Sequence, residues 1–228
     1  MIHARKSAKR TIVKAKTKKK RVRLDAALRR EKILDEAILL VGRRGYHGFS
    51  IQELAQRCNL TNAGLLYYFG SKERLLIDLL ESRDRRDAAA VSSMVGLKPS
   101  DGGRATVTFE KTVEVLHAIV ARNCTQPEIV RLYAVLQSEA LDSAHPAHDY
   151  FVKREARVID AFTKMLAPHV DRPRSTVRHL LGLLNGLEQQ WLRANMAFDL
   201  VAEWDSAVAA LLPRPKGGRH TRGHPSSD

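Results

Sequence analysis

Apolar residues in this chain recur at steps of three and four, and nowhere do several segments alternate with the period of two that strands require. Ile33, Leu34, Ala37, Ile38 and Val41 form one such face from Asp25 onward, stopped by Gly42 and Gly45. Phe109, Val113, Leu116 and Val120 form a second, and Ile129, Val130, Tyr133 and Leu136 a third behind Pro127. Pro146 opens a stretch carrying Phe151, Val158, Phe162 and Met165, ended by Pro168. Pro173 opens a long one with Leu180, Leu181, Leu184, Leu187 and Trp191. Val201, Trp204, Val208 and Leu211 make a last narrow stripe before Pro213. The stretch 94–105, with three glycines and a proline, reads as a loop. Together with three short signals between residues 50 and 80, this predicts an all-α chain of about nine helices.

Those short signals carry the function. Ser50-Ile-Gln-Glu53 has the spacing of a capping box, in which hydroxyl and carboxylate each satisfy a free backbone N–H. The helix it starts is expected to end near Cys58. Thr61 then caps a second helix ending near Phe69-Gly70, and Ser71 a longer one with Leu75, Leu76, Leu79 and Leu80. Two short helices around a turn at Asn59–Leu60 have helix-turn-helix arithmetic, which sets the second helix in the DNA major groove. Thr61 and Asn62 offer short hydrogen-bonding groups at its front, while Ala63 and Gly64 lack bulk and admit a close approach. Tyr67 and Tyr68 add hydroxyl-bearing rings, and Lys72 a phosphate-seeking ammonium. The bland alternative is a compact helical corner with two surface tyrosines.

The stretch REKILDEAILLVGRRGYHGFSIQELAQRCNLTNAGLLYYFGSKERLL, about a fifth of the chain, resembles the N-terminal domain of the TetR family of transcription regulators. The likeness rests on the GY-x-x-x-S-I-x-x-L-A turn, the A-G-L-L-Y-Y-F helix and the G-S-K-E that follows. It implies a cytoplasmic homodimer with a three-helix DNA-binding head and a larger helical ligand-sensing body, most often a repressor on a palindromic operator. Carried over residue by residue, it implies phosphate contacts from Ser50, Thr61, Tyr67, Tyr68 and Lys72, and base reading by Asn62, Ala63 and Gly64. Leu66 stands where many members have tyrosine, and Tyr68 where many have histidine; Leu66 is expected to pack inward. Phe49 replaces a small residue or threonine and is expected to be partly buried.

Charge sharpens the domain plan. The net charge is +14, yet residues 1–23 hold eleven Lys/Arg and no acid, while residues 24–80 stand at +1. The plan is a basic arm over 1–24, disordered in isolation, a head over 25–72, a sensing and dimerisation body over 73–212 and a flexible tail over 213–228. An arm half-engaged with phosphates adds about five to the log–log salt slope of DNA binding. The alternative is a solubilising tail. Its composition overlaps with an organellar transit peptide but lacks an apolar helical face. No apolar run approaches the ~18 residues of a membrane span, so no membrane partner is expected. Cys58 and Cys124 read as reduced thiols.

If the resemblance holds, the leucines and Trp191 between 176 and 192, with Val201, Trp204, Val208 and Leu211, pair with a second copy; the alternative is that they complete the monomer core. Candidate effector-binding groups are His117, Tyr133, Gln137, Glu139, Asn185, Glu188, Gln189 and Trp191, with Phe109, Phe162 and Met165 as walls. The sharpest rival is a metal protein or enzyme on Glu139, His145, His148 and Asp149. Yet no Gly-rich phosphate loop, G-x-S-x-G or H-E-x-x-H is present, so neither cofactor nor catalysis is expected. A second rival is an architectural protein coating DNA through its arm.

Overall fold

The computed structural model describes residues 3–96 and 107–212, with side chains from Asp25 on. Among these residues there are nine helices and no strand. The 97–106 part of the predicted loop and the tail at 213–228 lie outside the described residues.

Helix α1 spans His3–Gly48, with a non-helical break at Gly45. This corrects one expectation. Gly42 does not stop the helix. Residues 3–24 belong to the same helix. No glycine or proline precedes Gly42, and alanine, lysine and arginine are strong helix formers. Disorder was expected of the arm in isolation; joined to a folded helix, it needs no nucleus of its own.

Three hydroxyl caps then set the next three starts. Ser50 Oγ accepts from Glu53 N–H at 3.1 Å and begins α2 (Ile51–Arg57). Only this half of the capping box is seen, because the Glu53 carboxylate pairs with Arg44 at 2.8 Å. Thr61 Oγ1 accepts from Gly64 N–H at 3.0 Å and begins α3 (Asn62–Phe69). Ser71 Oγ accepts from Arg74 N–H at 3.1 Å at the head of α4 (Lys72–Met94). Asn59 and Gly70, both at positive φ, make the two reversals that keep these helices short.

The remaining helices are α5 (Phe109–Cys124), α6 (Pro127–Glu139), α7 (His148–Leu166), α8 (Pro173–Arg193) and α9 (Leu200–Leu211). Proline opens α6 and α8, where its missing N–H costs nothing. Thr108 caps α5, and Asp199 caps α9 by accepting from Val201 and Ala202 N–H. Pro146 does not open α7 directly; it lies in a turn two residues ahead.

The chain divides into two compact units, Met1–Arg85 with Arg131–Tyr150, and Arg86–Val130 with Phe151–Asp228. The head therefore does not close at residue 72. Leu75, Leu76, Leu79 and Leu80 of α4 are fully buried, and Asp84 accepts hydrogen bonds from the hydroxyls of Tyr133 (2.9 Å) and Tyr150 (2.5 Å). Those contacts bring residues 73–85 and 131–150 into the first unit. Its core includes Ile33, Leu34, Leu54, Leu65, Leu132 and Leu136, and the Arg30 guanidinium lies over the Phe69 ring. The larger of the second unit's two apolar clusters contains Phe109, Leu116, Val120, Trp191, Trp204 and Val208. No helix among the described residues is long and apolar enough to cross a membrane.

Candidate nucleic-acid interface

The front of α3 is left open by the packing of the first unit. Leu65 and Phe69, four apart, are buried and fix the rotation of the helix. That rotation leaves Thr61, Asn62, Ala63 and Tyr67 exposed, with Gly64 and Tyr68 half-buried. Tyr67 is 88% exposed, and its ring meets Tyr68 edge-on at 5.7 Å. A tyrosine so exposed among the described residues offers both a ring and a hydroxyl to something outside it. Leu66 is half-buried. At position 64 a Cβ would sit 3.2 Å from the Thr61 hydroxyl, so glycine leaves that cap room.

Behind this face lies an aromatic and charged corner where α1 turns into α2. Phe49 is fully buried, more than expected. The Lys72 ammonium stands 4.5 Å from the Tyr46 ring centroid and 4.4 Å from that of Phe49. Burial pushes the Lys72 pKa below its ordinary value, against the pull of Glu73 and Glu139. Lys72 thus starts α4 as expected, but it is seated on two rings instead of standing free. The Tyr46 hydroxyl donates to Glu73 at 2.8 Å. Burial first, then that carboxylate, raises the Tyr46 pKa. Glu73 is held below the usual carboxylate range by its own backbone N–H, Ser71 and the Tyr46 hydroxyl.

Comparison with known proteins matches the geometry to a lineage. The family model described as bacterial regulatory proteins, tetR family, matches residues 33–79, the span from the middle of α1 into α4 that holds this face. The transcriptional regulator AcrR of Shigella flexneri is 25% identical over 204 residues, covering 85% of this chain and 92% of its own length. Residues 33–79 are thus similar to the DNA-binding segment of the TetR family. TetR-family proteins are DNA-binding transcriptional regulators, not enzymes. Two solved structures share the fold. AibR, determined in complex with isovaleryl coenzyme A and operator DNA, is 21% identical, with a TM-score of 0.63 over 82% of this chain and 99% of its own. FadR of Bacillus subtilis, determined with stearoyl-CoA, is 17% identical, with a TM-score of 0.63 over 80% and 97%.

The groups read from the sequence as an effector site divide between the two units. His117 is exposed and its Nδ1 lies 2.8 Å from Asp205, a surface pair instead of a cavity lining. Tyr133 is tied to Asp84, and Glu139 to the backbone of Tyr46; with half-buried Gln137, both belong to the first unit. Asn185 and Gln189 are exposed on α8. Trp191 is buried in the apolar cluster, with Phe109 beside it in the same core and Phe162 half-buried against it. Met165 packs on a smaller cluster with Val95. Among these candidate groups Glu188 is a desolvated acid: burial pushes its pKa up to about 7, opposed by a 2.6 Å hydrogen bond from Asn123 and by Arg154. Of the rival metal set, His145 Nε2 lies 3.5 Å from Glu139, while His148 Nδ1 turns to the Ala140 carbonyl at 2.9 Å and Asp149 is exposed.

Sequence reasoning missed the part played by Gly45 and Tyr46. It used Gly45 only as a helix stop, although a Gly-Tyr pair at a helix end does signal a turn with an aromatic plug.

Proposed function

We propose that the chain is a ligand-responsive repressor that binds a palindromic operator as a homodimer. The observation that carries this is the open front of α3, where Asn62, Ala63 and Tyr67 face outward from a helix locked by Leu65 and Phe69. In this reading Asn62, Ala63 and Gly64 meet base edges. Ser50, Thr61, Tyr67, Tyr68 and Lys72 hold phosphates, Lys72 from its seat on two rings. Two copies set about 34–36 Å apart read the two half-sites. Half-buried leucines on α8, Leu181, Leu183, Leu184 and Leu187, with exposed Leu211, supply apolar surface for pairing. Trp191, Trp204 and Val208 are spent on the core of the single chain. The basic stretch 1–23 adds attraction to phosphate without choosing a sequence.

The effector is a small molecule. Two structural neighbours hold acyl-CoA, so an acyl-CoA series is the first panel to try. Footprinting on the DNA upstream of the chain's own gene tests the core of the reading. A protected palindrome, lost in Asn62→Ala and released by one member of the panel, is expected. Uniform, salt-labile coating of any duplex would overturn it in favour of an architectural role. Deleting 1–23 is expected to flatten the salt dependence by about five in log–log slope while sequence preference persists.

A further inference from the structure

The corner between α1 and α2 is held by a side chain 93 residues away. Gly45 has φ +69 and ψ −179, a conformation that glycine alone adopts at low cost. The next backbone N–H, on Tyr46, donates to Glu139 Oε2 at 2.8 Å. Glu139 is the last residue of α6, and its carboxylate lies so near the glycine that a Cβ there would stand 1.9 Å from Oε1. Glycine is therefore required twice, for the backbone angle and for the approach of the acid.

A buried imidazole stands beside the carboxylate. His145, its side chain 1% exposed, places Nε2 at 3.5 Å from Glu139 Oε2, close but without a hydrogen bond. Its Nδ1 accepts from Ala147 N–H at 3.1 Å, so the ring proton sits on Nε2. The ring also meets Tyr46 edge-on at 5.2 Å and His47 at 5.8 Å. Residues 46–49 lead directly into Ser50, the cap of α2, and α2 leads into α3. A rotation at Gly45 therefore turns the whole reading face.

We infer that Glu139 is a positioning residue for DNA recognition: lodged against Gly45, it clips the Tyr46 amide and fixes the angle at which α1 delivers α2 and α3. This rests on the reading of α3 as the base-contacting helix. Base contacts are geometric, whereas attraction to phosphate tolerates displacement. Loss of the clip should therefore cut affinity for a specific duplex and leave non-specific affinity nearly untouched.

The test uses the full chain, wild type against Glu139→Ala and Glu139→Gln. The probes are a duplex enriched from a random pool by the wild type and a scrambled duplex. Amide exchange over residues 45–50 is followed without DNA. For Glu139→Ala, losing a charge-assisted bond predicts exchange faster and specific affinity weaker, each by about tenfold or more. Affinity for the scrambled duplex should stay within about twofold. Glutamine retains an acceptor oxygen and should recover most of both. Unchanged exchange at 45–50 in Glu139→Ala overturns the clip. Equal loss on both duplexes, or failure of glutamine to rescue, overturns the positioning role. If the wild type enriches no sequence, the operator reading fails, and exchange alone decides whether the clip exists.

Discussion

Glu139 and Glu188 are both acids near the C-terminal end of a helix, and the sequence treats them alike, as polar groups for a cavity. Their surroundings give them opposite roles. Glu139, in the first unit, meets a backbone N–H, a histidine and a glycine that makes room for it. Glu188, in the second, accepts one amide hydrogen from Asn123, and burial raises its pKa to about 7. A directed backbone donor and a glycine that makes room turn a carboxylate into an anchor. A single neutral donor in apolar surroundings leaves a group that takes up a proton near neutrality.

The strongest way to break the contrast is Gly45→Ala. It strains the backbone at φ +69 and expels the Glu139 carboxylate, so unfolding by denaturant should show a loss of about 3 kcal/mol. A loss below about 1 kcal/mol would mean that the anchor is not tight. Next comes Glu188→Gln. The folded pKa, about 7, lies above the ordinary glutamate value of 4.5, so the folded state keeps a proton that the unfolded state sheds. The stability tied to this group is fully present below pH 4.5 and is lost as pH rises through 7. The ionised form then carries a penalty of about 3 kcal/mol. Glutamine removes that penalty: the variant should match wild type at pH 4.5 and exceed it by about 2–3 kcal/mol at pH 8. Equal stability at pH 8 would reject the desolvated acid. Asn123→Ala removes the donor and should cost about 1 kcal/mol, with a steeper decline toward alkaline pH. Asn185→Ala, on the exposed side of α8, is the quiet control. It should shift stability by less than about 0.5 kcal/mol, and a larger effect would place Asn185 in a contact that the single chain lacks.

What could be read in advance was local. Ser50, Thr61 and Ser71 each cap a backbone N–H three residues on, and each was legible from spacing alone. So was the burial of Leu75, Leu76, Leu79 and Leu80. Asp199 has the same chemistry but was passed over, because the last helix was traced only from its first apolar stripe residue, Val201. His117 looked like a polar group on an apolar face, yet the turns that bury Leu116 and Val120 rotate it outward to Asp205. The bond from Tyr46 to Glu139 spans too much chain for any periodicity to register.

The chain has two tryptophans, Trp191 and Trp204, and both are buried in the apolar cluster of the second unit. Near-ultraviolet emission excited at the red edge of indole absorption is therefore blind to the DNA-reading half. An effector entering the second unit should quench or shift it directly, with no label attached. Any change in that light on adding duplex alone would be a signal carried from one half of the molecule to the other.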